Sequence, residues 1–165
     1  MTEKGRIVPL SSVRFERLLP GPIDRVWDYL TKTELLPGWF GDGKIETRIG
    51  GAVSLMDGHI RGTVTQCRPP HLLSYTWNVF DPGEDISGYP ESYLTLQLEE
   101  QGADVLLTLT HFPIPEAFQK QTAMGWHTFL DMLGAAARGE TVKPRAEYAA
   151  ENARLYGVDL DNLAR

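Results

Sequence analysis

Apolar and polar residues alternate from Val13 to Leu19 and stop at Pro20-Gly21-Pro22, a period of two that predicts a first strand closed by a turn. The spacing then changes to Ile23, Val26, Trp27 and Leu30, which predicts a short amphipathic helix entered through Pro22. Residues 33–40 predict a second helical turn, broken by Pro37 and Gly38, with Trp39 and Phe40 at its exit. Short strands are expected near 44–48, 52–56 and 59–67, divided by Gly50-Gly51 and by the hairpin dipeptide Asp57-Gly58. Pro69-Pro70 interrupts the sheet, residues 72–77 read as another strand, and Asn78 to Pro90 reads as a long loop expected to be mobile.

Leu94, Leu96 and Leu98 share one face of a strand over 92–99, and Val105, Leu107, Leu109 and His111 share one face over 104–112, with Gln101-Gly102 turning between them. After Pro113 and Pro115 the period becomes helical: Trp126, Phe129, Leu130, Leu133 and Ala137 form the stripe of a long amphipathic helix ending at Gly139. Pro144 opens a further alanine-rich helix to about Tyr156, stopped by Gly157. The order is strand, two short helices, roughly six more strands and a long helix, hence α+β with an antiparallel sheet.

Composition narrows the partners. A chain of 165 residues with 42% hydrophobic and 23% charged residues has the size and balance of one globular domain. Its net charge of −6, with no lysine or arginine cluster, argues against a nucleic-acid surface. No apolar run approaches the ~20 residues that span a bilayer, the first residues lack the apolar core of a signal peptide, and Cys67 stands alone, so a cytoplasmic location is expected.

Nucleotide and metal motifs are absent. Residues 38–44 mimic part of a phosphate loop, but Ile45 stands where a magnesium-binding Ser or Thr belongs and no strand precedes the loop. His59, His71, His111 and His127 lack metal-ligand spacing, and no Gly-x-Ser-x-Gly elbow occurs, so neither a metal, a cofactor nor a catalytic residue is assigned. His59 is expected to be solvated, His111 to close an apolar strand face, and His127 to pair with Asp131 on the helix surface.

Phe15-Glu-Arg, Pro22, Val26-Trp27, Leu35 with Trp39-Phe40, Gly62-Thr-Val64, Leu73-Ser-Tyr75-Thr-Trp77, Leu107-Thr-Leu109-Thr-His111 and Gly125-Trp126 follow in an order that resembles the START-like superfamily. Within it, the chain resembles the activator of heat-shock protein 90 ATPase homologue family. The resemblance implies a helix-grip fold, a curved antiparallel sheet of six to seven strands wrapped around the C-terminal helix. It also implies a division into an N-terminal segment 1–12, a START-like domain 13–139 and a C-terminal helical extension 140–165. The extension is expected to cover a sheet edge or to pair with a second subunit.

A sheet curving away from a straight helix leaves space, so the expected function is binding of a small hydrophobic or aromatic molecule, lipid included, in an internal cavity. The residues placed around it are Trp39, Phe40, Met56, Tyr75, Trp77, His111, Trp126, Phe129, Leu130 and Leu133. Two alternatives follow from the resemblance. One is a polyketide aromatase or cyclase-like enzyme using His111, Tyr75 or Glu91. The other is an interaction module with a chaperone partner, although the chain leaves no room for the separate N-terminal domain of full co-chaperones.

Overall fold

The computed structural model describes residues 2–164. Its strands are β1 (Val13–Pro20), β2 (Gly43–Ile45), β3 (Ala52–Leu55), β4 (Ile60–Arg68), β5 (Leu72–Val79), β6 (Ser92–Gln101) and β7 (Asp104–Phe112); its helices are α1 (Ile23–Thr31), α2 (Gln119–Ala137) and α3 (Arg145–Tyr156). All strand pairs are antiparallel, in the order β1-β7-β6-β5-β4-β3-β2. This is the helix-grip arrangement: β1 leads into α1 and a single 3-10 turn at Leu36–Gly38, and the rest of the sheet returns around α2.

Alternation decides what faces inward. Leu94, Leu96 and Leu98 of β6, and Val105, Leu107 and Leu109 of β7, are all buried, as are Val53, Leu55, Val64, Leu73 and Tyr75 on neighbouring strands. Against this face α2 lays Trp126, Leu130, Leu133 and Ala137, and α1 adds Val26, Trp27 and Leu30. Removing each large side chain from water contributes about 1.5–3 kcal/mol, which holds helix to sheet. A register shift between Val64 and Gln66 bends β4, and at Gly62 the strands approach so closely that a Cβ would collide with the Thr76 carbonyl.

Three local expectations are corrected. The strand expected over 44–48 ends at Ile45, because Gly51 N–H donates to the Arg48 carbonyl and turns the chain back. The turn after β3 starts before Asp57-Gly58: Met56 (φ 52) and Asp57 (φ 56) are left-handed as well as Gly58 (φ 82), and Gly58 N–H closes it onto the Leu55 carbonyl. The His127–Asp131 pair exists at 3.6 Å, yet it lies under α3, where Tyr156 OH meets His127 Nδ1 at 2.8 Å.

The extension packs on α2, not on a sheet edge. Asn152 is buried, and its amide donates to Thr128 Oγ1 (3.2 Å) and Asp131 Oδ2 (3.0 Å) on the face of α2 turned away from the sheet. Arg145 fastens the start of α3 by donating to the Phe40 carbonyl at 2.6 Å and lying 4.6 Å over the Phe129 ring. α2 is therefore covered on two sides. Among the described residues no helix is long and apolar enough to cross a membrane, and no three His, Cys, Asp or Glu side chains cluster to hold a metal ion.

Candidate ligand site

The aromatic residues picked out by the sequence meet in one cluster. The Phe40 ring lies 5.2 Å from Trp39, 6.3 Å from Trp77, 5.9 Å from Trp126 and 4.5 Å from Phe129, and Trp77 continues the chain of contacts to Tyr75, His111 and Trp126. These rings fill the space under α2. The void left among Trp39, Phe40, Tyr75, Leu94, Leu96 and Trp126 is about 10 Å³, room for about one water. Leu130 and Leu133 are plain core, Phe129 lies under Arg145, and Met56 packs at the tip of the β3–β4 turn beside Gly41.

Open space lies instead at one end of the grip, where β5, β6 and β7 meet the start of α2. A cavity of about 270 Å³ is walled there by Trp77, Val79, Tyr89, Ile114 and Phe118, with Ser92 and His111 among its polar groups and His59 and Asp81 among its exposed ones. Of the residues placed around a cavity from sequence, Trp77 and His111 border this one. Ser92, Tyr89, Phe118 and His59 were not singled out as site residues. Ser92 carried a legible signal, since it precedes Leu94 by two and so shares its inward face with His111.

His111 is held from both sides. The Trp126 indole N–H donates to His111 Nδ1 at 3.0 Å, and Ser92 Oγ lies 2.7 Å from Nε2. An indole nitrogen only donates, so Nδ1 accepts, the ring proton resides on Nε2, and Nε2–H donates to Ser92 Oγ. The Ser92 hydroxyl in turn donates to the Trp77 carbonyl at 3.3 Å. Burial lowers the His111 pKa to about 4, keeping the imidazole neutral near pH 7, and pushes the Tyr75 phenol well above its ordinary range.

Two segments form the rim. The loop 80–91 is tied to the sheet by Arg61, whose guanidinium sits 3.8 Å over the Phe80 ring and donates to the Glu84 carbonyl at 2.7 Å, and by Ser87, which donates to the Val79 carbonyl at 2.7 Å. The C-terminal tail leaves α3 at Gly157 and returns across α2. There Ala164 N–H donates to Gln121 Oε1 at 2.9 Å and the Gln121 amide donates back to the Ala164 carbonyl at 3.4 Å, which brings Ala164 to the cavity edge.

Residues 20–138 match the model of the family described as Activator of Hsp90 ATPase homolog 1-like protein. The chain belongs to that family. Solved structures carry the same grip: CalU16 from Micromonospora echinospora superposes with a TM-score of 0.72 at 28% identity, over 88% of this chain and 86% of that one. The protein encoded by gene BPP1335 of Bordetella parapertussis gives a TM-score of 0.72 at 27% identity, over 98% of this chain and 92% of that one. PFC0360w of Plasmodium falciparum, an HSP90 activator, shares the fold at 22% identity with a TM-score of 0.64, over 80% of this chain and 99% of that one. No curated protein matches the chain. Family members thus share the grip with the present chain.

Proposed function

We propose that the protein binds a small aromatic molecule in the cavity at the open end of the grip. The observation that carries this reading is a walled space of about 270 Å³ whose sides are Trp77, Tyr89 and Phe118 and whose polar groups are already oriented by mutual hydrogen bonds. Ligand sites are concave, mostly apolar and furnished with a few fixed polar groups, and a space of this size suits one or two fused rings. The earlier expectation of a cavity deep under α2 gives way to this end, because Phe40 and Trp126 occupy the deeper space themselves.

Binding is favoured over acid–base chemistry by the state of His111. Both ring nitrogens are engaged, and a proton acceptor with a pKa of about 4 is a weak base at neutral pH. Its hydrogen bond to Ser92 runs from the ring to the hydroxyl, the reverse of what activation of a serine requires. An aromatase or cyclase would need another group. Docking on a heat-shock ATPase rests on the family alone and lacks a matching feature in this cavity.

Native mass spectrometry of freshly purified protein, compared with its denatured mass, tests the proposal. Thr122 lines the cavity from α2, so Thr122→Trp should fill it while leaving the core intact. A co-purifying or added small aromatic that binds the wild type and is lost from Thr122→Trp supports the site. Equal binding by both proteins would move the ligand elsewhere.

A further inference from the structure

The polar groups of the cavity select among aromatic ligands by charge and by hydrogen-bonding sense. Among the described residues no lysine or arginine lines it, and the carboxylate among its lining residues is that of Asp81. His59 Nδ1 lies 2.7 Å from the Phe80 carbonyl. A carbonyl only accepts, so Nδ1 carries a proton. Ser92 has spent its hydrogen on the Trp77 carbonyl and retains an acceptor lone pair, and the Gln121 amide is bonded to Ala164 through its oxygen and one N–H. The donors left are uncharged: the Trp77 indole, the second N–H of Gln121 and the hydroxyls of Tyr89 and Thr122. The start of α2 adds little attraction for an anion, since the 3-10 turn Glu116–Phe118 runs into it and carries a carboxylate in its first turn.

We infer that the ligand is an aromatic compound bearing a hydrogen-bond donor, a phenol or an arylamine, and that aromatic carboxylates are rejected. The inference rests on the cavity being a ligand site, as proposed above. An ionised acid entering it would give up hydration beside Asp81 and find no lysine or arginine among the described lining residues to replace the lost water. A phenol or amine meets an acceptor fixed at Ser92 and the carboxylate of Asp81.

Four probes of one shape separate the terms: 2-naphthol, 2-naphthylamine, naphthalene and 2-naphthoate, titrated at pH 7.5 into the labelled full-length protein. Amide and indole NMR shifts report location and Kd. The expected result is shifts centred on Trp77 and Ser92 for the phenol and the amine, with naphthoate weaker by about tenfold or more. In Asp81→Asn the gap between naphthol and naphthoate should narrow, and Asp81 is exposed enough to change without disturbing the core. Naphthoate binding as tightly as naphthol at the Trp77 end would overturn the selectivity while leaving the site standing. Silence from all four probes would remove the site itself, and the selectivity with it.

Discussion

His111 is a basic side chain buried to 4% exposure on an apolar strand face, and it remains there because Trp126 and Ser92 satisfy both nitrogens while it is neutral. That arrangement makes stability depend on pH. With a folded pKa of about 4 against an ordinary 6.5, the unfolded chain binds more protons between those values, so stability is full above about pH 6.5 and falls as the pH drops toward 4. The difference amounts to on the order of 3 kcal/mol. Urea melts of wild type and His111→Gln at pH 7 and pH 4.5 should show the wild type losing more, and equal losses would show that His111 titrates normally. The inward position of His111 was legible from the alternation Val105, Leu107, Leu109, His111, but its bonding was not. Trp126 is 15 residues away and reaches it only once α2 lies on the sheet.

At the scale of elements, two contacts decide how neighbours fit. The Gly62 backbone touches β5, and a methyl group there would meet the Thr76 carbonyl, which belongs to the ladder and has nowhere to retreat. Gly62→Ala should therefore destabilise by about 1–3 kcal/mol, seen as a lower denaturant midpoint with an unchanged slope. Asn152 joins α3 to α2, and Asn152→Ala would leave Thr128 and Asp131 without that donor. A loss of about 1–3 kcal/mol is expected, with hydrogen exchange rising first in α3. Undiminished protection of α3 would mean that Arg145 and Ala153 suffice to hold it. The strands and the long helix were readable because periods of 2 and 3.6 report which side is inward. The docking partner of α3 was not, since an alanine-rich helix with a weak stripe fits several surfaces equally well, and polar contacts such as those of Asn152 with Thr128 and Asp131, Arg145 with the Phe40 carbonyl and Tyr156 with His127 pick one.

Across the whole molecule, the grip closes tightly in the middle and gapes at one end. Sequence could name the rings under α2 but not how much room they leave, because free volume is a small difference between the space enclosed and the space the side chains take up. Trp39, Phe40 and Trp126 fill the middle, while Pro113 and Pro115 carry the chain away from β7 before α2 begins and leave the end open. The tail crosses that opening on the Gln121–Ala164 bonds, a pair worth about 1–2 kcal/mol together. Gln121→Ala should accordingly raise the rates of probe entry and exit about fivefold or more, read from NMR line shapes, with little change in global stability. Unchanged rates would place the entrance elsewhere on the rim.

The same two bonds bear on how the protein is handled at the bench. A purification tag joined after residue 165 begins within a residue of the Gln121 clasp and can lie across the opening or pry the tail from it, whereas a tag before residue 2 adjoins a stretch exposed through residue 10. Ligand screens run on material tagged after residue 165 would sample a different entrance from the one that residues 2–164 present.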